Sequence, residues 1–191
     1  MQLRAHRRYA SGVTLVELMI AIAVLAIIVS IGFPSFTLWI QNARIRTATE
    51  AVMSGIKLAR TEAIRRNTLV RFDLVNSITN SCALSSSGTS WVVARGTPVG
   101  ACGTTPADPA DTSAASGSDP KIIQKWTAAE GAQGATITAT GGSTLIFNGI
   151  GRTSTGTTIT KLAITHSSGA TGLRKFDIEV ESGGLIRMVE K

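Results

Sequence analysis

Glu17 is the residue whose type and position most demand a chemical role. It stands in an apolar run, five residues after Gly12, behind a segment that carries Arg4, Arg7 and Arg8 and no acid. From Leu18 to Ala43 no charged side chain follows. A carboxylate at the centre of a membrane helix costs roughly 2.5–3.5 kcal/mol on insertion scales, so its chemistry must be that of an ion pair with a partner group. The other reactive residue types are sparse. Cys82 and Cys102 sit in neither a C-x-x-C nor a metal-ligand pattern. His166 has no second histidine near it for a Ser-His-Asp or His-metal constellation, since His6 lies in the basic N-terminal segment. The aspartates of Gly103–Pro120, Asp108, Asp111 and Asp119, do not make a calcium loop, which needs about six to eight oxygen ligands. That stretch is low in apolar residues and holds three prolines, and it is expected to be a mobile surface loop. No G-x-x-x-x-G-K-S/T phosphate loop occurs. The expectation is a non-enzymatic chain with no cofactor and no metal.

The elements that position Glu17 follow from the flanks. Val13 to Ile31 is almost wholly apolar, about the 20 residues that cross a hydrocarbon core. The leading arginines place the N-terminus in the cytoplasm. A secretory signal would have a small-residue cleavage site after the run, and Ile31-Gly32-Phe33-Pro34-Ser35 offers none. A plain signal anchor is the alternative, and the Gly–Glu spacing argues against it.

The stretch Gly12-Val13-Thr14-Leu15-Val16-Glu17 resembles the N-terminal methylation motif of the type IV pilin and type II secretion pseudopilin superfamily, which reads close to G-F-T-L-x-E. The resemblance implies that a prepilin peptidase cuts after Gly12 and methylates Val13, which becomes the first residue. It implies that Glu17 pairs with the N-terminal amine of a neighbouring subunit, that the partners are other major and minor pilins or pseudopilins, and that the chain crosses the bacterial inner membrane once before joining a pilus or pseudopilus. The β-rich part would then be periplasmic. Val13 departs from the family's usual phenylalanine; Gly12 and Glu17 do not depart.

The whole chain divides accordingly into a cleaved basic leader (1–12), the membrane or filament-core half of a long helix (13–36), an amphipathic half (37–66) and a globular β-rich domain (67–191). Gly32 and Pro34 are expected to weaken the helix locally. Ile40, Ala43, Thr47, Ala48, Ala51, Val52, Gly55, Leu58, Ala59 and Ala63 recur at three- and four-residue steps, a face poor in bulk that another layer can approach closely. After Asn67, runs rich in Val, Ile, Thr, Phe and Trp predict strands at 68–74, 90–95, 122–127, 135–139, 144–147, 158–165, 175–180 and 185–189. Gly183-Gly184 marks a hairpin turn between the last two. A long helix on a mainly antiparallel β domain is an α+β architecture. The formal charge of +7 falls once the leader's three arginines are removed, to 16 basic against 12 acidic side chains, or +4, which argues for no particular partner. In a periplasmic domain Cys82 and Cys102 are expected to bridge, closing a loop of roughly 20 residues for about 3 kcal/mol; two unpaired thiols are the alternative.

Within the superfamily the chain is most similar to the FimT/FimU minor pilins and their secretion counterpart GspH. Ala59-Arg60-Thr61-Glu62-Ala63 resembles an A-R-x-E-A stretch, Phe147 to Gly151 an F-x-x-x-G turn, and Gly183 to Met188 a terminal hairpin. The resemblance implies a minor pilin that primes or joins a pilus, with a secretion pseudopilin and a DNA-uptake pilin as alternatives. In DNA-binding members a G-R-x-R tail contacts DNA. Here that tail reads Gly184-Leu185-Ile186-Arg187, one arginine short. Arg187 and Lys191, with Arg174, Lys175 and Arg152, are the candidate contacts, and so small a set gives weak, salt-sensitive binding.

Overall fold

The computed structural model describes residues 12–191, the side chains of 31–34 excepted. The leader before Gly12 and the side chains of Gly32 and Pro34 therefore lie outside the described residues. One helix, α1, runs over Leu15–Arg66. The chain forms two compact units that divide between Thr37 and Leu38. In the first unit α1 has its apolar residues turned outward on every side, with Leu15 75%, Met19 59%, Ile22 58% and Ile28 62% exposed.

In the second unit the remainder of α1 buries one narrow seam. Ile45, Ala48, Val52, Ile56, Ala59 and Ala63 are fully buried, at three- and four-residue steps. The seam is turned slightly from the expected face. Ile45 and Ile56 are in it, while Ala43 and Thr47 are exposed. Gly55 explains the choice: a Cβ there would come within 2.8 Å of the Trp91 ring, so the bare glycine is where the indole lies against the helix.

Nine strands follow: β1 (Val70–Val75), β2 (Ser87–Gly88), β3 (Ser90–Ala94), β4 (Ile122–Thr127), β5 (Ala135–Thr140), β6 (Thr144–Phe147), β7 (Lys161–His166), β8 (Phe176–Val180) and β9 (Ile186–Glu190). They make a four-stranded sheet in the order β4-β3-β1-β6 and a five-stranded sheet in the order β2-β5-β7-β8-β9. Every pairing is antiparallel. Together with the long helix this is the expected α+β, pilin-like architecture.

The first sheet is covered on both faces, which is why Trp91-Val92-Val93-Ala94 reads as an unbroken apolar run. Phe72, Leu74, Trp91, Val93, Leu145 and Phe147 join the helix seam in the main core. Val75, Val92, Ala94 and Ile122 form a second cluster with Cys82 and Cys102, which are joined as a disulfide. That face also holds a buried carboxylate. Asp73 Oδ1 accepts from Arg71 Nη2 at 2.8 Å and from the Thr144 hydroxyl at 2.7 Å. Burial raises the Asp73 carboxyl, and the Arg71 guanidinium opposes that effect.

Replacing Gly55 with valine should force the Trp91 indole off the seam. Overpacking of this kind typically costs about 1–3 kcal/mol. Thermal unfolding of the full chain followed by circular dichroism should show a lowered midpoint for Gly55→Val and a smaller effect for Ser54→Val, one residue away on the exposed side.

Candidate functional site

The N-terminal motif builds a helix start. Thr14 is the last residue before α1, and its hydroxyl accepts the Glu17 N–H at 3.2 Å while its carbonyl accepts the Leu18 N–H at 3.1 Å. Thr14 and Glu17 thus occupy the first and fourth places of a T-x-x-E capping pattern. The pattern was open to sequence reasoning, which assigned Glu17 a role and gave Thr14 none. Gly12 and Val13 precede the helix and are exposed. The Gly12–Val13 bond is therefore on non-helical backbone, and a new amine at Val13 would arise next to the capping residue. Glu17 is exposed, and among the described residues no cation pairs with it. A carboxylate in the first turn also suits the positive end of the helix dipole.

The apolar sleeve behind Glu17 is the second part of the site. Among the described residues no single helix is long and apolar enough to cross a membrane; Leu15–Ser30 and Ser35–Arg66, taken together across a break, pass by length and composition.

Three stretches far apart in sequence meet in the globular unit. Arg60 Nε donates to the Gly151 carbonyl at 3.0 Å, and Gly184 packs against that same carbonyl so closely that no Cβ would fit. The Thr153 hydroxyl donates to the Ser182 carbonyl at 2.9 Å. Gly151 and Gly184 both have positive φ, 76° and 80°, which a residue with a Cβ adopts at a cost. The Ala59–Ala63, Phe147–Gly151 and Gly183–Met188 stretches are thus one contact, seated on the end of α1.

The candidate DNA-contacting cations do not form one patch. Arg174, Lys175 and Lys191 gather at the open end of the β8–β9 hairpin, where the Lys191 N–H donates to the Lys175 carbonyl at 2.9 Å. Arg152 lies beside Gly151 at the turn end, a strand length away. Three of the five are spoken for: Arg187 reaches Glu179 at 2.7 Å, Arg174 reaches Glu190 at 3.5 Å and Lys191 reaches Asp177 at 2.8 Å. The Arg187–Glu179 pair follows from the hairpin register, which sets the two residues opposite each other. All three pairs lie on the surface with the cation more than half exposed, and among the described residues Lys175 and Arg152 make no ion pair.

Two further features had no counterpart in the sequence reading. The segment expected to be mobile is tied down: Arg66 donates to the Asp111 carbonyl at 2.7 Å and to the Pro109 carbonyl at 2.9 Å, and Lys121 pairs with Asp111 at 3.0 Å. Lys125 Nζ donates to the carbonyls of Cys102, Gly103 and Thr104 at 3.1–3.2 Å, holding the disulfide loop on β4. Among the described residues no three side chains gather as metal ligands. His166 has a neighbour in the Ser168 hydroxyl, 2.9 Å from Nδ1, and no carboxylate.

Lys191, hydrogen-bonded to Asp177, holds that carboxyl below its ordinary value of 3.8; burial opposes the effect and the Lys161 charge adds to it. A depressed carboxyl contributes stability that is present above the ordinary value and lost as pH falls through the depressed one. Asp177→Asn should therefore flatten the acid side of the melting-temperature profile below about pH 4. Parallel acid limbs for the two proteins would count against the pairing.

Comparison with known families bears on both parts of the chain. The family described as Type II transport protein GspH matches residues 48–184. The Prokaryotic N-terminal methylation motif matches residues 7–33. Neither a curated protein nor a solved structure matches the chain.

Proposed function

We propose, from the premise that this chain belongs to the family of the type II transport protein GspH, that it is a minor structural subunit of a pilin-like filament. The observation that carries the reading is the conjunction at the N-terminus: a methylation motif over 7–33, a peptide bond on non-helical backbone at Gly12–Val13, and a helix whose apolar side chains stand exposed behind Glu17. Structural subunits, not enzymes, make up the families matched.

The mechanism has three steps. The helix first holds the subunit in the inner membrane, N-terminus in the cytoplasm and β domain in the periplasm. A prepilin peptidase then removes the arginine-bearing leader, which would not fit a packed core of helices, and methylates Val13. Last, Glu17 pairs with the N-terminal amine of a neighbour. Two opposite charges in an apolar setting are tolerable only when paired and hydrogen-bonded. The pairing lowers the cost of leaving the membrane while neighbouring helices cover the sleeve.

Two machines could use such a subunit. The three stretches that meet at Arg60, Gly151 and Gly184 resemble FimT/FimU minor pilins of a type IV pilus and GspH alike, so they fit either machine. The family match, described as a type II transport protein, supports a secretion pseudopilin. Deleting the gene separates them, through loss of surface pili in one case and loss of secreted enzymes in the other. Leu185 in place of the first tail arginine weighs against a DNA-uptake role.

Glu17→Ala should leave membrane insertion and processing intact and sharply reduce the subunit in sheared filaments or in detergent-extracted assemblies. Normal incorporation would sink the pairing. Replacing Gly12 with a bulky residue should leave an uncut precursor, seen as a heavier band and an intact-mass shift equal to the leader.

A further inference from the structure

At the end of α1 an open cavity of about 770 Å³ is lined by Arg65, Arg66 and Arg95, and it has no part in the function proposed above. The guanidiniums come from two elements: Arg65 and Arg66 from the last turn of the helix, and Arg95 from the residue after β3. Their partners are unevenly shared. Glu62 accepts from Arg65 at 2.7 Å and from Arg66 at 2.7 Å. Asp111 is committed elsewhere, Oδ1 to the backbone and hydroxyl of Ser113 and Oδ2 to Lys121 at 3.0 Å. Arg95 is left over. Its side chain is only 9% exposed, Asp111 Oδ1 stands 4.0 Å from its Nη2, and that nitrogen has no hydrogen-bond partner among the described residues. A buried donor without an acceptor is costly; Nη2 itself is closed to solvent, so a ligand in the cavity would meet the part of the Arg95 side chain that stays exposed at its wall.

We propose that this cavity is a binding site for a small phosphate monoester, with Arg95 as the principal anchor. The lining fits that class. Guanidinium groups recognise phosphate by paired N–H donors, and the hydroxyls of Thr68 and Thr112 add donors at the wall. Leu69, Pro109 and Ala115 give an apolar side for the ester's carbon skeleton. The volume falls in the ordinary range for small-ligand sites, about 300–1,000 Å³, and is more than a bare phosphate fills. A ligand there would contact both the helix end and the 109–115 loop, so its presence would hold that loop to the helix.

The test is isothermal titration calorimetry on the full chain in maltoside micelles, which carry no phosphate, at fixed ionic strength. Glycerol 3-phosphate is the probe, with glycerol, sodium chloride and a short DNA duplex as comparisons. Saturable binding of glycerol 3-phosphate is expected, with no response to glycerol or chloride. Arg95→Gln and Ala114→Trp should each weaken it by roughly tenfold or more, about 1.4 kcal/mol. Ala114 is exposed at the cavity wall, so its replacement blocks the site without touching the buried arginine and serves if Arg95→Gln does not fold. No saturable heat, affinity unchanged in a folded Arg95→Gln or in Ala114→Trp, or a response to duplex DNA without one to glycerol 3-phosphate, would each overturn the assignment.

Discussion

Apolar side chains from Leu15 to Val29 are half to three-quarters exposed, and among the described residues of the first unit nothing else covers them. That surface sets the terms for the whole molecule. Burial of apolar area is worth roughly 25 cal/mol per Å², so a sleeve of leucines, isoleucines and valines seeks lipid or other helices. A single charge inside the sleeve, Glu17, is then the group that distinguishes one covering from another. Lipid offers it nothing, whereas a neighbouring chain can offer an amine. Thr14 contributes by fixing where the helix begins, so that Val13 and Glu17 keep a defined spacing at its tip.

The second unit solves the opposite problem, burying a helix tightly. Small residues in the seam let Trp91 rest against Gly55, and Trp91 in turn contacts Phe72 and stacks on Trp126 at centroid distances of 5.4 and 6.2 Å. The first sheet has a second apolar face to cover, and the disulfide loop covers it, pinned by Lys125. At the helix end the same compactness draws Arg60, Gly151 and Gly184 into one contact. A hairpin that would otherwise flap is thereby attached to the helix.

Much of this was legible in the residues, and the exceptions have physical causes. Strands such as 122–127 and 144–147 appear where alternation and β-branched content place them. β2 is two residues long, Ser87 and Gly88, too short to carry any period. The division into two sheets depends on β1 pairing with both β3 and β6, a non-local choice that no window of sequence contains. The helix face was read slightly askew because alanines flank the seam on both sides, and only the landing place of Trp91 decides between them. For the candidate DNA contacts, the signal was present in the Gly183-Gly184 turn: folding the hairpin there sets Arg187 against Glu179. The missing hydrogen bond at Arg95 Nη2, an absence among the described residues, was not legible at all, since it depends on how Asp111 is shared among residues of a loop.

The central claim is that the exposed sleeve is covered by the helices of other subunits. Single cysteines placed in turn at positions 18 to 25 of the full chain, produced with its own assembly system and oxidised in the filament fraction, would test it directly. The account predicts inter-subunit crosslinks that recur with helical periodicity. Processed protein present in that fraction with no crosslink at any position would contradict it.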